Sequence, residues 1–318
     1  MSDPVEWPPE VARRLSEGAF LLIDKPRGPS SHQVTAWVRD LLGLPRAGHA
    51  GTLDPNVSGI LWVGVGPALK LIPLVLEFPK RYIAVIHLHG EAPDDAVARA
   101  ISEFQGPVYQ LPPVRSAVRR ERRVRTIHRL TLLERAGPEL LVEVTAESGT
   151  YVRTLAVDLG EALGVGGHME ELRRVGTGPF DESAVVPITR LADAVARSRE
   201  GAPAELLALL HPLAEVWREF PLVVVRDGAA AAVAHGADLA GGGVVSVSRP
   251  FDSGATVAVV TVRGELLATG EALRDSSEAS AKRSGWVVDC SRVFVDPARF
   301  PPTWRATAEA PRPVPPGG

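Results

Sequence analysis

Along the chain, the spacing of apolar residues changes several times, and each change marks an element. Residues 19–23 are uniformly apolar, as in a strand covered on both faces, and Asp24, Lys25, Pro26 and Gly28 break the run. Ser30 or Ser31 then caps a helix in which Val34, Trp37, Val38 and Leu41 fall at i, i+3, i+4 and i+7, with Gly43 ending it. Residues 59–65 and 81–88 are short and rich in β-branched residues; in the second, Tyr82, Ala84, Ile86 and Leu88 share one face at period two. An amphipathic helix follows at 94–104 and a strand at 140–146. A further helix starts at Thr150, with Val152, Leu155, Ala156, Leu159 and Leu163 as its buried stripe and Arg153 off it. The order lacks a regular βαβ rhythm, which predicts a mixed α+β domain rather than a doubly wound parallel sheet.

Beyond Phe220 the texture becomes short valine-rich runs at 222–225, 244–247 and 257–262, separated by glycine turns and interrupted by a helix at 229–235. That predicts a small β-barrel. The apolar stretch at 206–217 is interrupted by His211, Pro212 and Glu215 and is shorter than the ~18 residues a membrane span needs, so it reads as a packed helix. The plan is thus an N-terminal extension (1–18), a catalytic domain (19–217), a barrel (220–296) and a proline-rich, extended tail (297–318). A chain of 318 residues has room for one large and one small core. Asp3, Glu6 and Glu10 near the start do not fit a basic-then-apolar secretory leader, so a cytoplasmic protein is expected.

Composition narrows the chemistry. Hydrophobic residues at 45% and charged residues at 23% are those of an ordinary globular protein. The single cysteine, Cys290, supports neither an internal disulfide nor a cysteine zinc cluster, and the eight histidines show no zinc-protease spacing, so no metal or cofactor is implied. A net charge of −3 argues mildly against nucleic acid, yet Arg115, Arg119, Arg120, Arg122, Arg123, Arg125 and Arg129 stand against one acid, Glu121. A charge run is often only a solvated face; arginine at this density favours contact with a polyanion.

The most informative stretch is residues 48–59, GHAGTLDPNVSG. Asp54 and Pro55 alone would be a turn. Together with His49, Gly51, Thr52, Leu53, Ser58 and Gly59, however, they resemble the active-site loop of the TruB and dyskerin family of pseudouridine synthases at eight of twelve positions. In the same order along the chain, Ile23, Asp24, Lys25, Pro26, Gly28 and Ser31 resemble the family's opening motif. Lys80, Arg81 and Tyr82 resemble its tyrosine motif, and residues 149–155 with Asp158 and Gly160 its arginine motif.

The resemblance implies an RNA-modifying enzyme that isomerises uridine, with a mixed, mostly antiparallel sheet flanked by helices and a C-terminal barrel of the PUA type. It implies Asp54 as the reacting carboxylate, acting as nucleophile or as a base on the sugar. Tyr82 would stack beside the uracil, Leu172 would floor its pocket, and His49 would hold the flipped nucleotide out. Lys25 would contact RNA or support the loop. Arg153 adds a clue of its own, because a cation in the first turn of a helix meets the dipole at a cost of ~0.3 to 1 kcal/mol. A salt bridge to Asp54 would offset that and aim the carboxylate.

About thirty residues separate Tyr82 from Pro112, and Arg115, Ser116, Ala117 and Val118 run almost directly into Arg125 and Thr126. That shortness, with PPVRSAV and GGHMEELRRVGTGPF, resembles the archaeal and eukaryotic dyskerin-type branch, as does VVVRDGAAAAVAHGADL at 223–239. The branch implies partners: an H/ACA guide RNA with ribosomal RNA or tRNA as substrate, a zinc-ribbon protein, a glycine and arginine-rich protein and an L7Ae-like protein. Arg119, Arg120, Arg122 and Arg123 would bind RNA. Guide-independent modification of a tRNA T-loop uridine, and a non-catalytic RNA-binding scaffold, are the competing readings.

Overall fold

The computed structural model describes residues 6–111, 121–281 and 284–300. The chain forms two compact units, Met1–Val216 and Trp217–Gly318. Strands of the first are β1 (Ala19–Lys25), β2 (Ala47–Ala50), β3 (Ser58–Val65), β4 (Lys80–Leu88), β5 (Gly106–Gln110), β6 (Arg123–Ala136), β7 (Glu139–Ala146), β8 (Gly167–Thr177), β9 (Phe180–Asp181) and β10 (His211–Pro212). Its helices are α1 (Pro9–Glu17), α2 (Ser31–Leu41), α3 (Ile72–Glu77), α4 (Asp94–Glu103), α5 (Val152–Ala162), α6 (Ile188–Arg199) and α7 (Ala204–Leu209), with α8 (Ala214–Trp217) at the boundary.

The strands make one ten-stranded sheet in the order β10-β1-β3-β8-β4-β7-β6-β5, with β2 added to β3 and β9 to β8. Pairing is antiparallel except at β3–β8, a parallel seam of two register pairs, Ser58↔Arg173 and Gly59↔Arg174. The seam separates two cores. On one side, β1 and β3 pack with α1, α2, α6 and α7 around Val11, Leu21, Val38, Leu61, Leu191 and Leu206. On the other, β4, β6 and β7 pack with α4 and α5 around Ile86, Val97, Leu130, Val142 and Leu155. Gly59 permits the close approach: at its φ of +106° an added Cβ would stand 2.1 Å from the Arg174 carbonyl oxygen. Two arginines fasten the seam. Arg173 pairs with Asp24 of β1 at 3.0 Å and with Glu182 at 2.6 Å, while Arg174 donates to the Ile60 and Gly51 carbonyls at 2.7 and 2.9 Å.

Several elements match the sequence pattern closely. In α2 the Ser30 hydroxyl accepts from the Gln33 N–H, and Val34 and Val38 are fully buried. In β4 the even-numbered residues Ala84, Ile86 and Leu88 are buried.

Three expectations for the first unit are corrected. β1 does not stop at Ile23: Asp24 and Lys25 continue its pairing with β3, because both side chains find partners there. Within the N-terminal extension, Pro9 opens a helix whose Val11 and Leu15 enter the core. The apolar stretch at 206–217 is not one packed helix, since Pro212 disfavours helix at His211, and His211 and Pro212 instead pair with Ala19 and Phe20 of β1. α5 begins at Val152, two residues after Thr150.

In the second unit, β11 (Leu222–Val225), β12 (Leu239–Ala240), β13 (Val244–Val247), β14 (Thr256–Thr261), β15 (Leu266–Ala272) and β16 (Trp286–Val293) form one sheet in the order β12-β16-β15-β14-β11-β13. With α9 (Asp227–Ala234) and α10 (Ser276–Ala281), it encloses a core that includes Val223, Val233, Val257, Leu267 and Val287. The tail does not begin fully extended, since Pro297–Arg299 make a 3-10 turn and Phe300 packs on that core. Among the described residues no helix is long and apolar enough to cross a membrane.

Candidate active site

The loop between β2 and β3 carries Asp54, and buried side chains grip it on both sides. Before Asp54, the Ser31 hydroxyl accepts from the Leu53 N–H at 2.8 Å and donates to the Leu53 carbonyl at 2.9 Å. After it, the fully buried Lys25 ammonium donates to the carbonyls of Pro26, Pro55 and Val57 at 2.9, 3.3 and 2.7 Å, and the Gly28 N–H donates to Pro55. All three N–H bonds of the ammonium are thus met by loop carbonyls. Structural support is what the geometry of Lys25 provides. Burial holds its pKa below the ordinary lysine value, against the pull of Asp54, and the Arg174 charge adds to the lowering.

So held, the Asp54 carboxylate meets the Arg153 guanidinium at 2.9 Å. This is the salt bridge that the misplaced cation in the first turn of α5 implied. Both side chains stay partly open to solvent, so the carboxylate is aimed and reachable.

Asp54 and Arg153 line a cavity of about 310 Å³ with Tyr82, Leu172, Lys80, Arg174, Leu76 and Tyr151 among the other walls. The register of β4 on β8 places Tyr82 opposite Arg174 and Ala84 opposite Leu172, so the ring, the leucine and the arginine share one sheet face. Arg174 is the residue the sequence reading missed. It is fully buried, lies directly opposite Tyr82 in the register of β4 on β8, and donates to the Ile60 and Gly51 carbonyls. Lys80, also buried, donates to the carbonyls of Val75, Leu76 and Phe78 at 2.9, 2.9 and 2.6 Å and so closes the C-terminal end of α3. Burial, with the Arg174 charge beside it, pulls the Lys80 pKa down to about 7. One carboxylate among several cations gives the site a positive field, suited to a substrate with a phosphate backbone.

His49 is not brought into this cavity. It lines a neighbouring one with His32, Thr35 and Arg39, its ring edge-on to His32 at 4.8 Å and its Nδ1 buried without a hydrogen-bond partner. Burial first, then the charges of His32 and Arg174, lower its pKa to about 4, so the ring is neutral at physiological pH. Of the arginine run, Arg122 is exposed and Arg123 opens β6; Arg119 and Arg120 lie outside the described residues. Arg125 is turned inward to Glu147 at 3.1 Å.

With this geometry in view, comparison with known proteins is decisive. Residues 39–152 match the model of the TruB family pseudouridylate synthase N-terminal domain, 153–216 that of the tRNA pseudouridylate synthase B C-terminal domain, and 221–294 the PUA domain. A probable tRNA pseudouridine synthase B of Methanothermobacter thermautotrophicus is 42% identical over 93% of this chain and 91% of its own length. The chain belongs to the TruB family of pseudouridine synthases. This synthase also resembles two solved structures. One, from a Cbf5-Nop10-Gar1 complex, is 38% identical with a TM-score of 0.86, covering 95% of this chain and 93% of that one. The other, from an H/ACA RNP bound to a substrate RNA containing 2'-deoxyuridine, is 36% identical with a TM-score of 0.83, covering 96% and 94%. Family membership supplies the reaction: uridine in RNA is rearranged to pseudouridine, the N1 to C1′ bond breaking and a C5 to C1′ bond forming with no atom gained or lost.

Proposed function

We propose that this synthase is the catalytic subunit of an H/ACA-type guide ribonucleoprotein that modifies ribosomal RNA in the cytoplasm, with Asp54 as its reacting carboxylate. The observation that carries the assignment is the Asp54–Arg153 pair at 2.9 Å on a rigidly held loop, beside Tyr82 and Leu172. Asp54 attacks the sugar or removes a proton from it; the geometry serves either route. Arg153 aims it. Tyr82 and Leu172 replace the stacking that the extruded uridine loses, and His49, a neutral ring in the neighbouring cavity, fills the place the base leaves. Lys25 holds the loop, and Arg119, Arg120, Arg122 and Arg123 meet phosphates.

Guide dependence is supported by the likeness to the Cbf5-Nop10-Gar1 and H/ACA structures across nearly the whole chain. In this reading base pairing selects the target. A zinc-ribbon protein, a glycine and arginine-rich protein and an L7Ae-like protein complete the particle. A second reading, guide-independent modification of tRNA, is favoured by the name of the Methanothermobacter relative. The test is pseudouridine formation by the purified protein on a bare tRNA transcript, then on ribosomal RNA with a matching guide and the partner proteins, with Asp54→Asn as control. We expect product with the guide and none from Asp54→Asn. Product on bare tRNA alone establishes the second reading, and full activity of Asp54→Asn overturns the mechanism.

A further inference from the structure

Gln110, the last residue of β5, is buried and sits on the backbone of one distant residue. Its Nε2 donates to the Tyr151 carbonyl at 3.1 Å, and its Oε1 accepts from the Tyr151 N–H at 2.8 Å. Tyr151 is the N-cap residue of α5 and has an extended backbone, yet no side-chain hydrogen bond caps the helix from that position. Two residues on, Arg153 puts a positive charge at the positive end of the helix. The beginning of α5 therefore lacks the usual local supports, and the planar amide of Gln110 supplies one from across the fold. A neutral carboxamide offers a donor and an acceptor in one plane, matching the C=O and N–H of a single residue.

The turn before α5 is held from the neighbouring strand. Glu147 accepts from the Thr126 N–H at 3.0 Å and pairs with Arg125 at 3.1 Å, and the Thr150 hydroxyl donates back to the Glu147 carbonyl at 2.7 Å. β5 and β6 thus fix the point at which α5 starts, and that point decides how far Arg153 reaches.

We infer that Gln110 is a positioning residue for the isomerisation, clamping the Tyr151 backbone so that Arg153 is held against Asp54. The inference rests on the role proposed above for the Asp54–Arg153 pair.

The test uses Gln110→Leu and Gln110→Glu in the full chain, assayed under single-turnover conditions with the RNA on which the unaltered protein is active. Gln110→Leu should slow the reaction about 10- to 100-fold while RNA affinity stays within about twofold. Gln110→Glu should be equally slow at pH 8 and should recover toward pH 6, because a buried carboxyl protonates early and, once neutral, offers the same donor and acceptor as the amide. Backbone hydrogen exchange at 151–155, read without RNA, should rise in Gln110→Leu while exchange in β4 and β7 is unchanged. Wild-type rates in both variants overturn the inference, as does a Gln110→Glu to wild-type ratio that is flat with pH. If Gln110→Leu exchanges faster everywhere, its fold is lost and the pH ratio of Gln110→Glu decides. If the unaltered protein makes no pseudouridine on either RNA, the proposed function fails, and local exchange alone decides whether Gln110 holds α5.

Discussion

Replacing Arg153 with methionine keeps most of the side chain's length and removes its charge, and the structure predicts a small effect on stability beside a large one on rate. The Asp54–Arg153 contact is 2.9 Å long, but its two side chains are 35% and 45% exposed, so water and salt screen it. Pairs of that kind stabilise by about 0.2–1 kcal/mol. Removing the cation also relieves its conflict with the dipole of α5, worth about 0.3–1 kcal/mol in the other direction. The terms nearly cancel, and the thermal midpoint should move by less than about 4 °C. Rate is a different matter, because the carboxylate loses the donor that aims it. Catalytic donors and misplacements of this size cost about 100- to 1000-fold. Pseudouridine formation at saturating RNA, measured in a single turnover beside a calorimetric melt, reads both quantities on one preparation. A rate within about threefold of the unaltered protein would refute the aiming role. A midpoint lower by more than about 8 °C would show the pair to be a structural support instead.

The His49 pKa of about 4 lies below the ordinary 6.5, so between those values the unfolded chain takes a proton that the folded chain refuses. Its contribution to stability is whole above pH 6.5 and is lost as pH falls toward 4, by at most about 2 kcal/mol at pH 5. His49→Gln should remove that difference between urea titrations at pH 7 and pH 5; an undiminished difference would mean the ring is solvated. Gly59→Ala should destabilise by about 3 kcal/mol, since the new methyl would meet the Arg174 carbonyl and force the seam apart, and a loss under about 1 kcal/mol in urea unfolding would contradict the close approach. Changing Arg119, Arg120, Arg122 and Arg123 to glutamine should weaken RNA binding and flatten its salt dependence by up to about 1 log unit per lost phosphate contact. An unchanged slope in a filter-binding series would turn those side chains to solvent.

Local pattern carried much of this fold. α2 could be read to its cap, because an apolar stripe and a capping serine are both local signals, and β4 showed its buried face by alternation. The salt bridge between Asp54 and Arg153 was legible for a different reason, namely that a cation at a helix start demands a partner. What stayed hidden depends on distant contacts. Arg174 looks in sequence like any surface arginine; only the seam with β3, more than a hundred residues earlier, makes it a buried strut. Lys25 read as a break beyond Ile23 rather than as part of β1, because a buried lysine is rare unless its hydrogen bonds are all met, and here the loop meets them. α1 escaped notice because two buried residues among charges make a weak stripe, while β15 and β16 are framed by small and polar residues that give no strong alternation. His49 is in the motif but in a neighbouring cavity, a separation that spacing along the chain does not encode.

The two cores beside the β3–β8 seam are arranged in a nested order. The one that carries Asp54 draws on residues 11–65 and again on 186–210, whereas the one that carries Arg153 is built from 84–159, wholly inside that gap. During synthesis the inner half is complete while the outer half still lacks α6 and α7, and domains tend to fold as their residues emerge. A nascent chain therefore exposes the motif residues before α6 and α7 complete the core on which the Asp54 loop rests.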